Sequence, residues 1–403
     1  MKNILLAVLF SSILNNYASA QFTVYTQANS GIPSDYVLCI SAANNGDIWL
    51  GTDAGIVRLS GNNWSTYNFG NSFLPSDTWN EIINIGNQNW IGNSNGLGQF
   101  DGMNYSTFTD SLGDFTIWTM ELDANNDLWV GTYSGGLDHY NGSTWDNYNT
   151  SNSALPDDQI EGIAFDNSGN VWCATSGGGL AKFDGTIFTV YNIGNSGIVS
   201  NSLNSVATAP NGDIWIGGPL GAISQYDGTN WTNYDSLDYG IAYSSIRTMV
   251  VDATGMLWVG TTDALMSFDG TTWTVYHTLN SNLASSTITE LVIDKDAYLW
   301  MSTAWGGVAK LNVPTSIASI EPVADFSIYP NPISETGTVR YTGDQGEVKD
   351  IALYDVLGDQ VTTYPASTKL DGLTISTLGL SAGIYFLSIR NDHGTMSRKV
   401  VVR

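Results

Sequence analysis

One tryptophan strand constrains this chain more than anything else in it. The stretch Asp47-Ile48-Trp49-Leu50-Gly51-Thr52 has six further relatives, centred on Trp90, Trp129, Trp172, Trp215, Trp258 and Trp300. The spacings are 41, 39, 43, 43, 43 and 42 residues. A period in this range means stacked supersecondary units, and alternating strand patterns within each unit point to the blades of a β-propeller.

Each unit reads alike. A first strand runs into an Asp or Asn turn such as Asp166-Asn167-Ser168-Gly169, and the tryptophan strand follows. A glycine-rich bend comes next, for example Ser134-Gly135-Gly136. The third strand ends in a tight Asp-Gly or Asn-Gly turn, as at Phe100-Asp101-Gly102 and Tyr140-Asn141-Gly142. Such pairs supply the positive φ angles of a two-residue hairpin. The fourth strand carries two aromatics three apart, as in Trp64/Tyr67 and Trp145/Tyr148. Seven tryptophan strands are followed by only six fourth strands. Phe22-Thr23-Val24-Tyr25 has the missing form at the other end of the chain, so it is expected to complete the last blade and close the ring.

These repeats resemble the two-component-regulator propeller repeat, most clearly at Gly46–Thr52 and at Asn126–Thr132 with Gly135-Gly136-Leu137 after it. Departures include Asn93 and Gly218 in place of the threonine. The resemblance implies a seven-bladed, all-β propeller over residues 21–311. In that family such propellers often serve as periplasmic sensors linked to glycan sensing; with no kinase following here, the signalling role does not carry over.

Residues 1–20 read as a secretory signal peptide. Lys2 is followed by an apolar run from Ile4 to Leu14 and by Ala18-Ser19-Ala20, a small-residue cleavage site. No segment has the length and apolarity of a transmembrane span. Residues 312–325 read as a linker. The module at 326–403 is built differently, with Tyr329-Pro330-Asn331-Pro332, then Leu353-Tyr354-Asp355-Val356-Leu357-Gly358, Ala382-Gly383-Ile384-Tyr385 and the tail Lys399–Arg403. Alternating apolar strands predict a small Ig-like β-sandwich. These motifs resemble the type A C-terminal sorting domain of the type IX secretion system, with Asp359 standing where lysine is usual. That implies export by this machinery to the surface or surroundings of a Gram-negative bacterium, with either release or surface attachment after removal of the module.

The net charge of −25 is concentrated in residues 21–316, which carry five basic residues against 28 acidic ones. A body this acidic repels phosphate backbones, so nucleic-acid binding is disfavoured. Cys39 and Cys173 lie three repeats apart, too far for a disulfide, and read as buried. His139, His277 and His393 read as solvated surface residues. No ligand cluster marks a metal or cofactor site, although calcium in the Asp/Asn-rich turns stays open.

The column twelve residues before each tryptophan is nearly all apolar, from Val37 and Thr78 to Ile288. The next column changes from blade to blade: Leu38, Trp79, Trp118, Glu161, Asn204, Arg247 and Thr289. It is expected at one mouth of the central channel, on the face that also receives Tyr133, Trp305, Asp53 and Asp263. Aromatics can stack on a sugar ring, and Glu161, Asn204 and Arg247 can bind hydroxyls or a carboxylate. The leading expectation is therefore a non-enzymatic glycan-binding propeller using Trp79, Trp118, Glu161, Asn204, Arg247, Tyr133 and Trp305. Two alternatives remain: a polysaccharide lyase or hydrolase using inner-strand carboxylates, with Glu161 and Glu290 as the candidates, and a protein-interaction scaffold.

Overall fold

The computed structural model describes residues 22–85, 88–108, 112–239, 244–312, 325–342, 348–355, 360–365, 370–391 and 394–403. The expected signal peptide, residues 313–324 of the expected linker, Asp359 and His393 lie outside the described residues. The chain divides into two compact units, 1–316 and 317–403.

The first unit is a seven-bladed propeller, each blade a four-stranded antiparallel sheet. Six blades are contiguous in sequence. The seventh takes three strands, Ile288–Ile293, Tyr298–Thr303 and Gly307–Asn312, and borrows its fourth from Thr23–Tyr25. Thr23 pairs with Lys310 and Tyr25 with Val308. Phe22 is locked from both sides: its N–H donates to Asn282 Oδ1 at 2.7 Å, and Asn282 Nδ2 donates to its carbonyl at 2.6 Å. Blade seven then docks on blade one, where Gly307 N–H donates to Asp35 O (2.9 Å) and Thr289 Oγ1 to Val37 O (2.7 Å).

The recurring tryptophans are wedges between blades. Each one belongs to the apolar cluster of the blade that follows: Trp49 packs with Ile82, Ile91 and Phe100, and Trp300 packs with Val37, Ile40 and Leu50 across the closure. The other five follow the same rule. A blade cannot bury its face alone, so burial of these indoles couples neighbours around the ring.

The Trp-x-Gly-Thr spacing follows from this packing. A Cβ on Gly131 would stand 2.8 Å from Ile160 Cγ2 of the next blade. The threonine closes the bend: Thr132 Oγ1 donates to Gly136 O (3.0 Å) and accepts from Gly135 N–H (2.9 Å). Gly131→Ala is expected to destabilise the propeller by about 1–3 kcal/mol through overpacking, read as a lower Tm. An unchanged Tm would mean the blades do not approach this closely.

The blade-to-blade connectors share a buckle that the tryptophan period does not announce. Asn152 Oδ1 accepts Asn149 N–H (2.8 Å), Asn152 Nδ2 donates to Asn147 O (2.9 Å), and Ser153 Oγ donates to Asn149 O (2.7 Å). Asn71/Ser72, Asn195/Ser196 and Asn280/Ser281 repeat the pattern.

The second unit packs a three-stranded sheet and a four-stranded sheet around Ile333, Val339, Ile351, Leu353, Leu387 and Val400. Cys39 and Cys173 are both buried free thiols. No helix among the described residues is long and apolar enough to cross a membrane.

Candidate functional site at the channel mouth

The innermost strands enter the ring through a β-bulge. Register skips one residue between Val37 and Cys39, Ile117 and Thr119, Ile160 and Gly162, Ile246 and Thr248, and Ile288 and Glu290. The skipped residue has no cross-strand partner, which frees its side chain to turn out of the sheet. These positions are Leu38, Trp118, Glu161, Arg247 and Thr289, and with Asn80 and Asn204 they line a central cavity of about 900 Å³. The loops entering the inner strands and the bends leaving the tryptophan strands share this face. Tyr133 N–H donates to Thr116 O (3.0 Å), Ser176 N–H to Gln159 O (3.2 Å) and Thr262 N–H to Ser245 O (3.1 Å).

Blade two requires a correction. Trp79 is fully buried and is no surface platform. Its first hairpin is a residue shorter: Ile83 stands opposite Trp90, seven positions away, where Ser41 stands eight from Trp49. Counting back a fixed twelve residues therefore lands one position early. Trp79 fills the apolar column of Val37 and Ile117, packed with Leu74 and Ile82. Asn80 holds the mouth position, with its N–H bonded to Gly92 O (2.9 Å).

The other expected residues divide into two groups. Trp118 is 42% exposed on the rim, and Tyr133, 50% exposed, lies against it with ring centroids 6.0 Å apart at 45°. Glu161 accepts from Gln159 Nε2 (2.6 Å), and the Trp118 side chain lies beside its carboxylate. Burial raises the Glu161 pKa nonetheless. Asn204 Nδ2 is held by Ser245 Oγ (3.0 Å) and Ile246 O (2.8 Å). Arg247 is exposed and is the one basic residue lining the cavity. Trp305 instead pairs with Tyr36 (4.6 Å) at the junction of blades seven and one. Neither Trp305 nor Tyr133 lines the cavity itself.

Below the rim the cavity is acidic. Residues 21–316 contain four glutamates, Glu81, Glu121, Glu161 and Glu290, and all four line it. Among the described residues, no aspartate of the same region lends its side chain to the lining. Glu81, Glu161 and Glu290 are legible in the sequence as inner-strand carboxylates; Glu121 is the one that the column reading does not single out. Glu81, Glu121 and Glu290 are partly buried where they line the cavity. Burial pushes Glu121 up to about 7. Glu81 is raised well above the ordinary range by burial, then by the charges of Glu290 and Glu121. Glu290 is raised by burial with Glu121 adding to it, against a hydrogen bond from Ile40 N–H (2.7 Å). Glu161 and Glu290, the candidate catalytic pair, thus sit in different settings: one on the rim with Gln159 and Trp118, the other inside with Glu81 and Glu121. Turn carboxylates considered for calcium are engaged by their own loops, as Asp184 Oδ1 is by the N–H groups of Thr186 and Ile187.

Family comparison gives the two units separate assignments. Residues 31–54 match the two component regulator propeller. Residues 327–403 match the secretion system C-terminal sorting domain. The tail is a sorting domain. A propeller carrying this sorting domain is a secreted or cell-surface protein, and the tail implies handling by the type IX machinery. No curated protein matches the chain. Among solved structures it is similar to the extracellular domain of a protein described as a hybrid two component system, BT3049 of B. thetaiotaomicron. That likeness has 16% identity and a TM-score of 0.62, covering 95% of this chain and 57% of that one. It is also similar to the extracellular domain of BT4673 from the same organism, at 20% identity and a TM-score of 0.59, with 95% and 52% covered. Virginiamycin B lyase from Staphylococcus aureus gives 10% identity and a TM-score of 0.58, with 73% and 99% covered. At such identities the likeness shows the fold alone. The chain, sorting domain included, spans little more than half the length of the two extracellular domains.

Proposed function

We propose that the protein is a non-catalytic binder of neutral oligosaccharides, delivered to the cell surface or beyond by its sorting domain. The observation that carries this reading is the Trp118–Tyr133 pair, exposed at the rim of a 900 Å³ cavity. Large exposed aromatics fixed beside polar groups suit the C–H face of a sugar. Glu161, Asn204 and Arg247 stand on successive blades at the same rim, where they supply acceptors and donors for hydroxyls. The net negative charge of the propeller body disfavours polyanionic chains.

The test is a glycan array probed with the full chain and with Trp118→Ala. Binding to neutral glycans at least tenfold weaker in the variant is the expected result. An array on which the wild type binds nothing, or binds equally after the substitution, would overturn the reading. Glycan cleavage lost in Glu161→Gln would replace it with the hydrolase or lyase alternative.

A further inference from the structure

Blade three departs from the way other blades tie down their first hairpin. In blades four, six and seven an aspartate six residues before the tryptophan takes the indole N–H: Trp172 donates to Asp166 (3.0 Å), Trp258 to Asp252 (3.2 Å) and Trp300 to Asp294 (2.8 Å). In blades one and five the carboxylate stands two residues before the tryptophan. It is held there by the residue facing that tryptophan on the third strand: Arg58 Nε donates to Asp47 (2.8 Å) and Gln225 Nε2 to Asp213 (2.6 Å). Each of these blades has one of the two aspartates. Blade three has both, Asp123 and Asp127, and its facing residue is His139.

The local bonding changes accordingly. Trp129 Nε1 is buried without a hydrogen-bond partner, so Asp123 is not on the indole. His139 stacks on the Trp129 ring, 4.1 Å between centroids, and its Nε2 is likewise buried and unpartnered. The nearest carboxylate oxygen, Asp127 Oδ2, is 3.7 Å from Nε2, too long for a hydrogen bond. One ligand atom each from Asp123, Asp127 and His139 lie within 4.8 Å of one another. On the far side of the ring, Asp146 Oδ2 stands 3.8 Å from Nδ1. Asp123 Oδ1 is fixed by the N–H groups of Asn125 (2.8 Å) and Asp127 (2.9 Å).

Two carboxylates and a buried imidazole nitrogen converge, while the indole N–H that an aspartate takes in blades four, six and seven is left unmet here. We propose that Asp123, Asp127 and His139 form a binding site for a first-row transition dication, with Zn²⁺ as the natural probe. Mixed imidazole and carboxylate donors suit such ions, whereas calcium and magnesium favour oxygen alone. Asp146 is placed to orient the imidazole from behind, as outer carboxylates do for metal-bound histidines. The site lies at the hairpin end of the inner strand Ile117–Leu122, opposite the end that carries Trp118, so it is independent of the glycan reading.

The test is calorimetric titration of Zn²⁺ into the full chain without an oligohistidine tag, with Co²⁺ absorption as a second readout. His139→Gln and Asp127→Asn are tolerable by design, because Gln225 and Asn170 occupy the matching positions of blades five and four. Both should keep the metal-free Tm. Saturable binding of one ion, weakened at least tenfold in each variant and unchanged in His277→Gln, is the expected result. No saturable binding, or binding that His139→Gln leaves intact, would overturn the site; in that case His139 serves only to pack on Trp129.

Discussion

Phe22→Ala is expected to be among the most destabilising single substitutions in the propeller, at about 3–5 kcal/mol. Phe22 is 4% exposed and packs with Trp258, Leu283 and Leu299, edge-on to Tyr276 at 5.9 Å. Its strand also brings Tyr25, stacked on Trp300 (5.9 Å, 14°) and edge-on to Trp64 (5.4 Å). One short strand therefore joins the last blade to the first. Its loss exposes the edge of Gly307–Asn312, an open template for pairing with another chain. Urea denaturation should show the midpoint fall in Phe22→Ala, and deletion of residues 21–26 should give self-association. A deletion variant that stays monomeric with the wild-type midpoint would refute closure by this strand.

The second large effect is a stability that falls as pH rises. An unfolded glutamate titrates near 4.3. Glu121 titrates at about 7 in the folded ring, with Glu81 and Glu290 raised as well and Asp138 raised by burial to about 6. A carboxyl with a raised folded pKa binds its proton more tightly when folded. Its stabilising contribution is complete below the unfolded pKa and is lost as pH climbs through the folded one. At about 1.4 kcal/mol per unit, Glu121 alone accounts for a loss on the order of 3 kcal/mol between pH 4.5 and 8. Below that range the aspartates with lowered pKa values, such as Asp47 and Asp166, pull the other way. The Tm should therefore peak near pH 5. Glu81→Gln should flatten the alkaline side and raise the Tm at pH 8 by a few degrees. A Tm flat from pH 5 to 8, or lowered at pH 8 by Glu81→Gln, would show that these carboxylates do not share an enclosed channel.

The ring was legible because its determinant is periodic. Each tryptophan must wedge into the next blade, and in five blades the glycine two residues on admits that blade's core column (Ala174 and Ser302 stand there in blades four and seven), so packing writes itself into the sequence at fixed spacing. Closure was legible for the same reason: Phe22 and Tyr25 carry the fourth-strand aromatics that blade seven lacks. The site was only half legible. A fixed offset from the tryptophan assumes equal hairpins, and the shorter one in blade two moved Trp79 from the mouth into the core. His139 read as a solvated surface residue, since its column holds Arg58, Lys182 and Lys310 elsewhere; it is half-buried and stacked on Trp129. What distinguishes His139 is the coincidence of both aspartates in its own blade, which a column-by-column reading does not compare. Trp305 shows a further limit: a bend residue can share the face yet lie over Tyr36 rather than in the cavity.

Hydrogen–deuterium exchange with a bound array-selected oligosaccharide tests the central claim most directly, because it reports which face is covered. Recognition at the channel mouth predicts protection of amides around Trp118, Gln159–Glu161, Asn204 and Ser245–Arg247. Protection confined to the opposite hairpin turns, such as Asn141–Thr144 and Asp227–Asn230, would contradict it.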